Sequence, residues 1–146
     1  MSEKTDVKKA KPIDLGSLDT NETAERGAVL EVLHPTDGTP LGLKITLAGT
    51  DSDIFQKAQN KMSNKRAKRF KPGQSFSYPA EEQAANTLSL LATCTLGWEA
   101  SDDFMLDGQP FPPYDRETAL ELYQRFVWLR EQADAFISDR ANFLSR

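Results

Sequence analysis

Histidine and cysteine are almost missing from this chain: His34 and Cys94 stand alone in 146 residues. A lone cysteine cannot close an internal disulfide, and nothing near Cys94 forms a metal-ligand cluster, so it fits a reducing cytoplasm or simply a small buried side chain, the latter being favoured. No apolar run approaches the ~20 residues that cross a bilayer. The stretch MSEKTDVKKAKPIDLG lacks the apolar centre of a secretory leader. A soluble protein of the cytoplasm is expected. GxGxxG, phosphate loops, CxxC, HExxH and GxSxG are absent as well. His34 sits beside Pro35 at a turn, with no local acid and nucleophile to make it a base. Asp102, Asp103 and Asp107 lack the alternating ligands and closing glutamate of a calcium loop. The expectation is a non-enzyme with no catalytic residues, no metal and no cofactor.

What is present is an ordinary globular composition. With 38% apolar and 27% charged residues, the chain can bury one core without staples. Residues 1–26 are polar and first lysine-rich, then acidic, and read as an arm without a fold of its own. Residues 27–146 form the single domain. AVLEVLHP and LGLKITLAG alternate around Asp37-Gly38, which predicts a β-hairpin with Leu41, Leu43, Ile45 and Leu47 on one face. Pro40 falls at a strand start or edge, where its missing donor does least harm.

Helical spacing follows. Ile54, Ala58 and Met62 fall four apart, behind a cap from Thr50, Asp51 or Ser52. Pro79 is placed to open a second helix whose stripe runs from Ala84 through Leu88, Leu91, Ala92 and Thr95 to Leu96, with Gly97 as its C-cap. Asp107-Gly108 predicts a second short hairpin or loop. From Asp115, which can cap the first turn, apolar residues recur at steps of three, four and seven to Leu144. That is one amphipathic helix, or two joined near Phe126 to Trp128. The fold class is α+β, with an N-terminal hairpin, three to four core helices, a second hairpin or loop and a C-terminal amphipathic helix.

Charge is divided along the chain. Lys57, Lys61, Lys65, Arg66, Lys68, Arg69 and Lys71 follow one another with no acid among them, whereas acids outnumber arginines two to one from Glu99 onward. Such a cationic helix is a solvated face, a docking surface for an acidic protein, or a nucleic-acid contact. Nucleic acid is disfavoured, because only Phe70 is interleaved for stacking and the chain carries a net charge of -4.

The segments GAVLEVLHPTDGTPLGLKITLAGTDSDIF, TCTLGWE, LDGQPFPPYDRETALELY and WLREQADAFISDRANFL carry a recurring order of small motifs. A hairpin with His34-Pro35 and Leu41-Gly42 leads into Ala48-Gly49 and Asp51-Ser52. Gly97-Trp98 precedes the Asp107-Gly108 loop, and Arg130, Gln132, Ile137, Asp139, Asn142, Phe143 and Leu144 mark the last helix. In this order the chain resembles the tail assembly chaperones of double-stranded DNA bacteriophages and prophages, from about Gly27 to Leu144. The resemblance implies a non-enzyme of the host cytoplasm that binds the tape measure protein and helps recruit tail tube protein around it. Partner contacts are expected at Lys61, Lys65, Arg66, Lys68 and Arg69 by charge, and at Trp128, Phe136, Phe143 and Leu144 by apolar contact in a helix-in-groove mode. Opposed charge along the chain also suggests self-association. Two further readings are a structural tail or connector protein kept in the virion, and a DNA-binding regulatory module using the basic helix 54–71. No membrane contact is expected.

Overall fold

The computed structural model describes residues 14–69 and 80–144, with the side chains of Arg66 and Arg69 outside that description. It is an α+β fold, as the mixed periodicities require. The first hairpin forms where alternation placed it, from β1 (Ala28–Leu33) and β2 (Pro40–Leu47). Gly38 supplies the positive φ of 75° in the turn. The His34 amide donates to the Thr39 carbonyl at 2.8 Å, and the Gly38 amide to the His34 carbonyl at 3.1 Å. Pro40 opens β2 opposite Leu33.

Among the described residues the α-helices are α1 (Asn21–Arg26), α2 (Asp53–Arg69), α3 (Ala80–Cys94), α4 (Arg116–Arg125) and α5 (Val127–Ser138). Leu43, Ile45 and Leu47 of β2 and Val32 of β1 meet Leu91, Tyr123, Leu129 and Ile137 from α3, α4 and α5 in one core. Burying each such side chain contributes roughly 1.5–3 kcal/mol. On the outer face of the sheet, Glu31, Lys44 and Glu99 align across three strands and stay exposed, the arrangement of an antiparallel sheet with one wet side.

The C-terminal stripe resolves into two helices. Asp115 caps α4 by accepting from the Thr118 amide at 3.4 Å, and Phe126, extended at φ -107° and ψ 92°, separates α4 from α5. The second hairpin, β4 (Met105–Leu106) and β5 (Gln109–Pro110), turns on Asp107 and Gly108, both at positive φ.

Two expectations are corrected. The stripe assigned to one helix through Leu96 breaks at Cys94, and Thr95–Ala100 runs on as β3 along the other side of β2. Gly97 is therefore a strand residue without positive φ and not a C-cap. Thr95 is buried in either reading, so its place on a helical stripe carried no information about the break. Ala84, read as part of that stripe, is exposed. Pro79 lies outside the described residues.

The second correction concerns residues 14–26, which do not form a bare arm. Ala24 is 1% exposed, and the Gly49 amide donates to its carbonyl at 3.0 Å. The helix is too short to signal itself by periodicity; contact with the residues after β2 stabilises it.

Candidate functional site

Helix α2 is fastened at its first turn and barely embedded beyond it. Ser52, fully buried, donates its hydroxyl to the Gly49 carbonyl at 2.7 Å and accepts from the Phe55 amide at 3.0 Å. That satisfies one of the open donors at the helix start. The Glu25 carboxylate takes the Asp53 amide at 2.7 Å. Further along, Ile54, Ala58 and Met62 are only half-buried, and none of the helix's described side chains is fully buried. This helix of 17 residues thus has a half-covered apolar stripe among the described residues.

That stripe forms the floor of a groove of about 750 Å³ between α2 and α3. Ala85, Asn86, Ser89 and Thr93 form the α3 wall, and Lys57, Lys61 and Lys65 stand along the α2 side. Arg116, from the first turn of α4, reaches the same groove. Its Nη2 donates to Thr93 Oγ1 at 3.0 Å and to Ser89 Oγ at 3.3 Å. Among the described residues no carboxylate pairs with these four cations. The acid in the lining, Glu82, is itself engaged. The groove is thus apolar below and positive along its edges.

A second, shallower depression of about 790 Å³ lies between β1 and α5, with Leu30, Leu33, Trp128 and Phe136 among its walls. Trp128 and Phe136 are half-buried and pack on the core while reaching this surface. Gln132 crosses it to bind the edge of β1, accepting from the Leu33 amide at 3.0 Å and donating to the Leu33 carbonyl at 2.8 Å.

The predicted contact residues therefore separate. Lys61 and Lys65 line the α2–α3 groove, while Lys68 is exposed beyond its lining. The side chains of Arg66 and Arg69 lie outside the described residues. Trp128 and Phe136 share the other depression. Phe143 is 1% exposed and stacks edge-on against Phe136 at 5.7 Å, so it is a core residue and offers no contact to a client. Leu144 is half-buried and lines neither groove. Arg116 was missed, since only the packing of α4 on α3 brings it there.

The other candidate chemistry is accounted for locally. His34 Nδ1 accepts from the Thr36 amide at 3.2 Å, organising its own turn. Asp107 forms a two-pronged bond to Arg125 at 2.6 and 2.7 Å, which holds its carboxyl below the usual range. Burial pushes the Cys94 thiol up to about 12, the setting of an unreactive cysteine. Among the described residues no three His, Cys, Asp or Glu side chains come together as a metal site.

Many residues of the motif order are joints of this fold. Gly49 lies against Phe143 and Ala24, where an added Cβ would come within 3.0 Å of the Phe143 ring and 3.1 Å of the Ala24 Cβ. Asp51 accepts from Thr20 and Arg140, Trp98 Nε1 donates to the Pro112 carbonyl at 3.0 Å, and Asn142 donates to the Phe136 carbonyl at 3.0 Å. No model of a protein family matches the chain, and neither a characterised protein nor a solved structure does.

Proposed function

We propose that this chain is a tail assembly chaperone of a double-stranded DNA bacteriophage or prophage. In this reading it binds the tape measure protein and helps recruit tail tube protein, through protein contacts and without catalysis, in the host cytoplasm. The motif order from Gly27 to Leu144, by its resemblance to that family, supports this family and its client. The physical support is a single feature: helix α2 keeps its apolar stripe half-covered beside a row of cations that no described carboxylate neutralises. A long helical client exposes apolar stripes that would aggregate in water. Covering a few large side chains reversibly contributes several kcal/mol, on the order of a micromolar affinity. The cations speed encounter with an acidic stretch and make capture sensitive to salt.

The test is co-expression with the long tail protein encoded downstream. That protein should stay soluble and copurify only when this chain is present. Equal solubility with and without it would remove the chaperone reading. Recovery of this chain in purified particles at fixed stoichiometry would point instead to a structural tail component.

A further inference from the structure

We infer that the groove between α2 and α3 takes an amphipathic helix with acidic flanks, presented by a partner protein. This rests on reading the chain as a binding module, and on nothing about which client it serves. The floor has helical repeat: Ile54, Ala58 and Met62 stand one turn apart. The lining from Ile54 to Lys65 spans roughly 17 Å at ~1.5 Å per residue. The edge has the same repeat, because Lys57, Lys61 and Lys65 also step by four. Arg116, steadied by the Ser89 and Thr93 hydroxyls, faces the groove from the α3 side. A guest helix with apolar residues at alternating steps of three and four, and Glu or Asp beside them, would set apolar groups on the floor and carboxylates against both edges.

Other occupants fit less well. Among the described residues no aromatic side chain lines the groove, so nucleic-acid bases find nothing to stack on there, and phosphates would desolvate the floor without benefit. A second copy offers acids on α4 and α5, but those helices bury their apolar stripes at Leu122, Tyr123, Leu129 and Ile137 in their own core. The chain's first residues carry Lys4, Lys8, Lys9 and Lys11 against Glu3 and Asp6, the wrong sign for this edge.

The experiment titrates the full chain at low salt into labelled synthetic peptides, read by fluorescence anisotropy. Three peptides share leucine content: one with a leucine stripe flanked by Glu, one with the stripe flanked by Lys, and one with the first composition scrambled. The Glu-flanked peptide should bind, and the other two about tenfold more weakly or worse. Its binding should fall by about tenfold or more in the triple variant Lys57→Glu, Lys61→Glu, Lys65→Glu, and also in Met62→Asp. In the unaltered chain, amide NMR shifts should concentrate at Ile54–Lys65 and Ser89–Thr93, a readout independent of whether the variants fold.

Equal binding of the scrambled peptide, shifts centred elsewhere, or absence of binding by the Glu-flanked peptide would overturn the inference. So would a single-stranded oligonucleotide that displaces the peptide at lower concentration, or self-association that the triple variant abolishes. If the downstream tail protein fails to copurify while the Glu-flanked peptide still occupies the groove, the client is wrong and the groove assignment stands.

Discussion

Gln132 closes its carboxamide on Leu33 as a strand would, taking the amide at 3.0 Å and giving to the carbonyl at 2.8 Å. One side chain on α5 thereby satisfies an edge residue of β1 that, among the described residues, has no strand neighbour on that side. Edges left open invite pairing with other chains. Replacing Gln132 with Ala should lower stability by about 0.5–1.5 kcal/mol, since two partly solvated hydrogen bonds are lost. It should also raise concentration-dependent self-association in sedimentation. Gln132→Glu keeps only the acceptor and should fall between the two; a variant as monomeric and stable as the parent would show that the bond pair has no protective role.

Tyr123 and Thr95 form a directed chain. The Thr95 hydroxyl spends its proton on the Leu91 carbonyl at 2.7 Å, so the buried Tyr123 hydroxyl is the donor in their 2.7 Å contact. Thr95→Val strands that donor and should cost about 1–3 kcal/mol, whereas Tyr123→Phe removes donor and need together and should cost about 0.5–1.5 kcal/mol. Urea melts of the two variants decide the order.

Alkaline stability depends on the same region. Burial raises the Tyr123 phenol from 10.0 to about 12 and the Cys94 thiol from 9.0 to about 12. Each group stays neutral longer folded than unfolded, so its contribution is complete below the unfolded value and lost as pH rises toward the folded one. Stability should therefore decline from about pH 9 to about pH 12. Tyr123→Phe should flatten the upper part of that decline, and Cys94 should resist thiol reagents in the native state.

Asp51 joins the two ends of the described chain. Arg140 bonds its carboxylate at 2.8 and 3.0 Å, Thr20 donates a hydroxyl, and together they hold its carboxyl below the usual 3.8. The lowered value means that the contribution is present above 3.8 and lost as pH falls through the folded value. Asp51→Asn should flatten the acid limb below pH 4 or so. Hydrogen exchange should quicken together in α1 and in the turn Arg140–Phe143, the two segments it ties. Faster exchange in only one of them would show that they open independently.

Phe143 belongs to the core and not to the α2–α3 groove. Truncating this buried ring to Ala should cost about 3–5 kcal/mol, and Gly49→Ala, which forces a methyl toward the same ring, about 1–3 kcal/mol. Both should lower the thermal midpoint yet leave peptide affinity unchanged at temperatures where the chain is folded. A loss of affinity in the folded variant would return Phe143 to the binding surface.

Much of the chain was legible because its signals are local. Leu43, Ile45 and Leu47 alternate, Asp37-Gly38 turns, Asp115 caps, and Ile54, Ala58 and Met62 repeat once per helical turn; each depends on residues within one or two turns of the chain. Thr95 and Leu96 read as helix, with Gly97 as its cap, because a helix that passes straight into a strand leaves no Gly or Pro at the change. There the competing states differ only by pairing with Lys44 and Ile45, some fifty residues away. Ala24 and Phe143 likewise have no local mark of burial.

The amino-acid order alone determined which elements are helices and strands by their own periodicity, where the sharp turns fall, and that positive charge collects on one helix. Tertiary structure decided the rest: which cations share a wall, that Arg116 joins them from another helix, and that Phe143 faces inward while Trp128 reaches the surface. The reason is physical. Periodicity says that a stripe must be covered, but only the packing of distant segments says by what, and on α2 that packing leaves the cover incomplete.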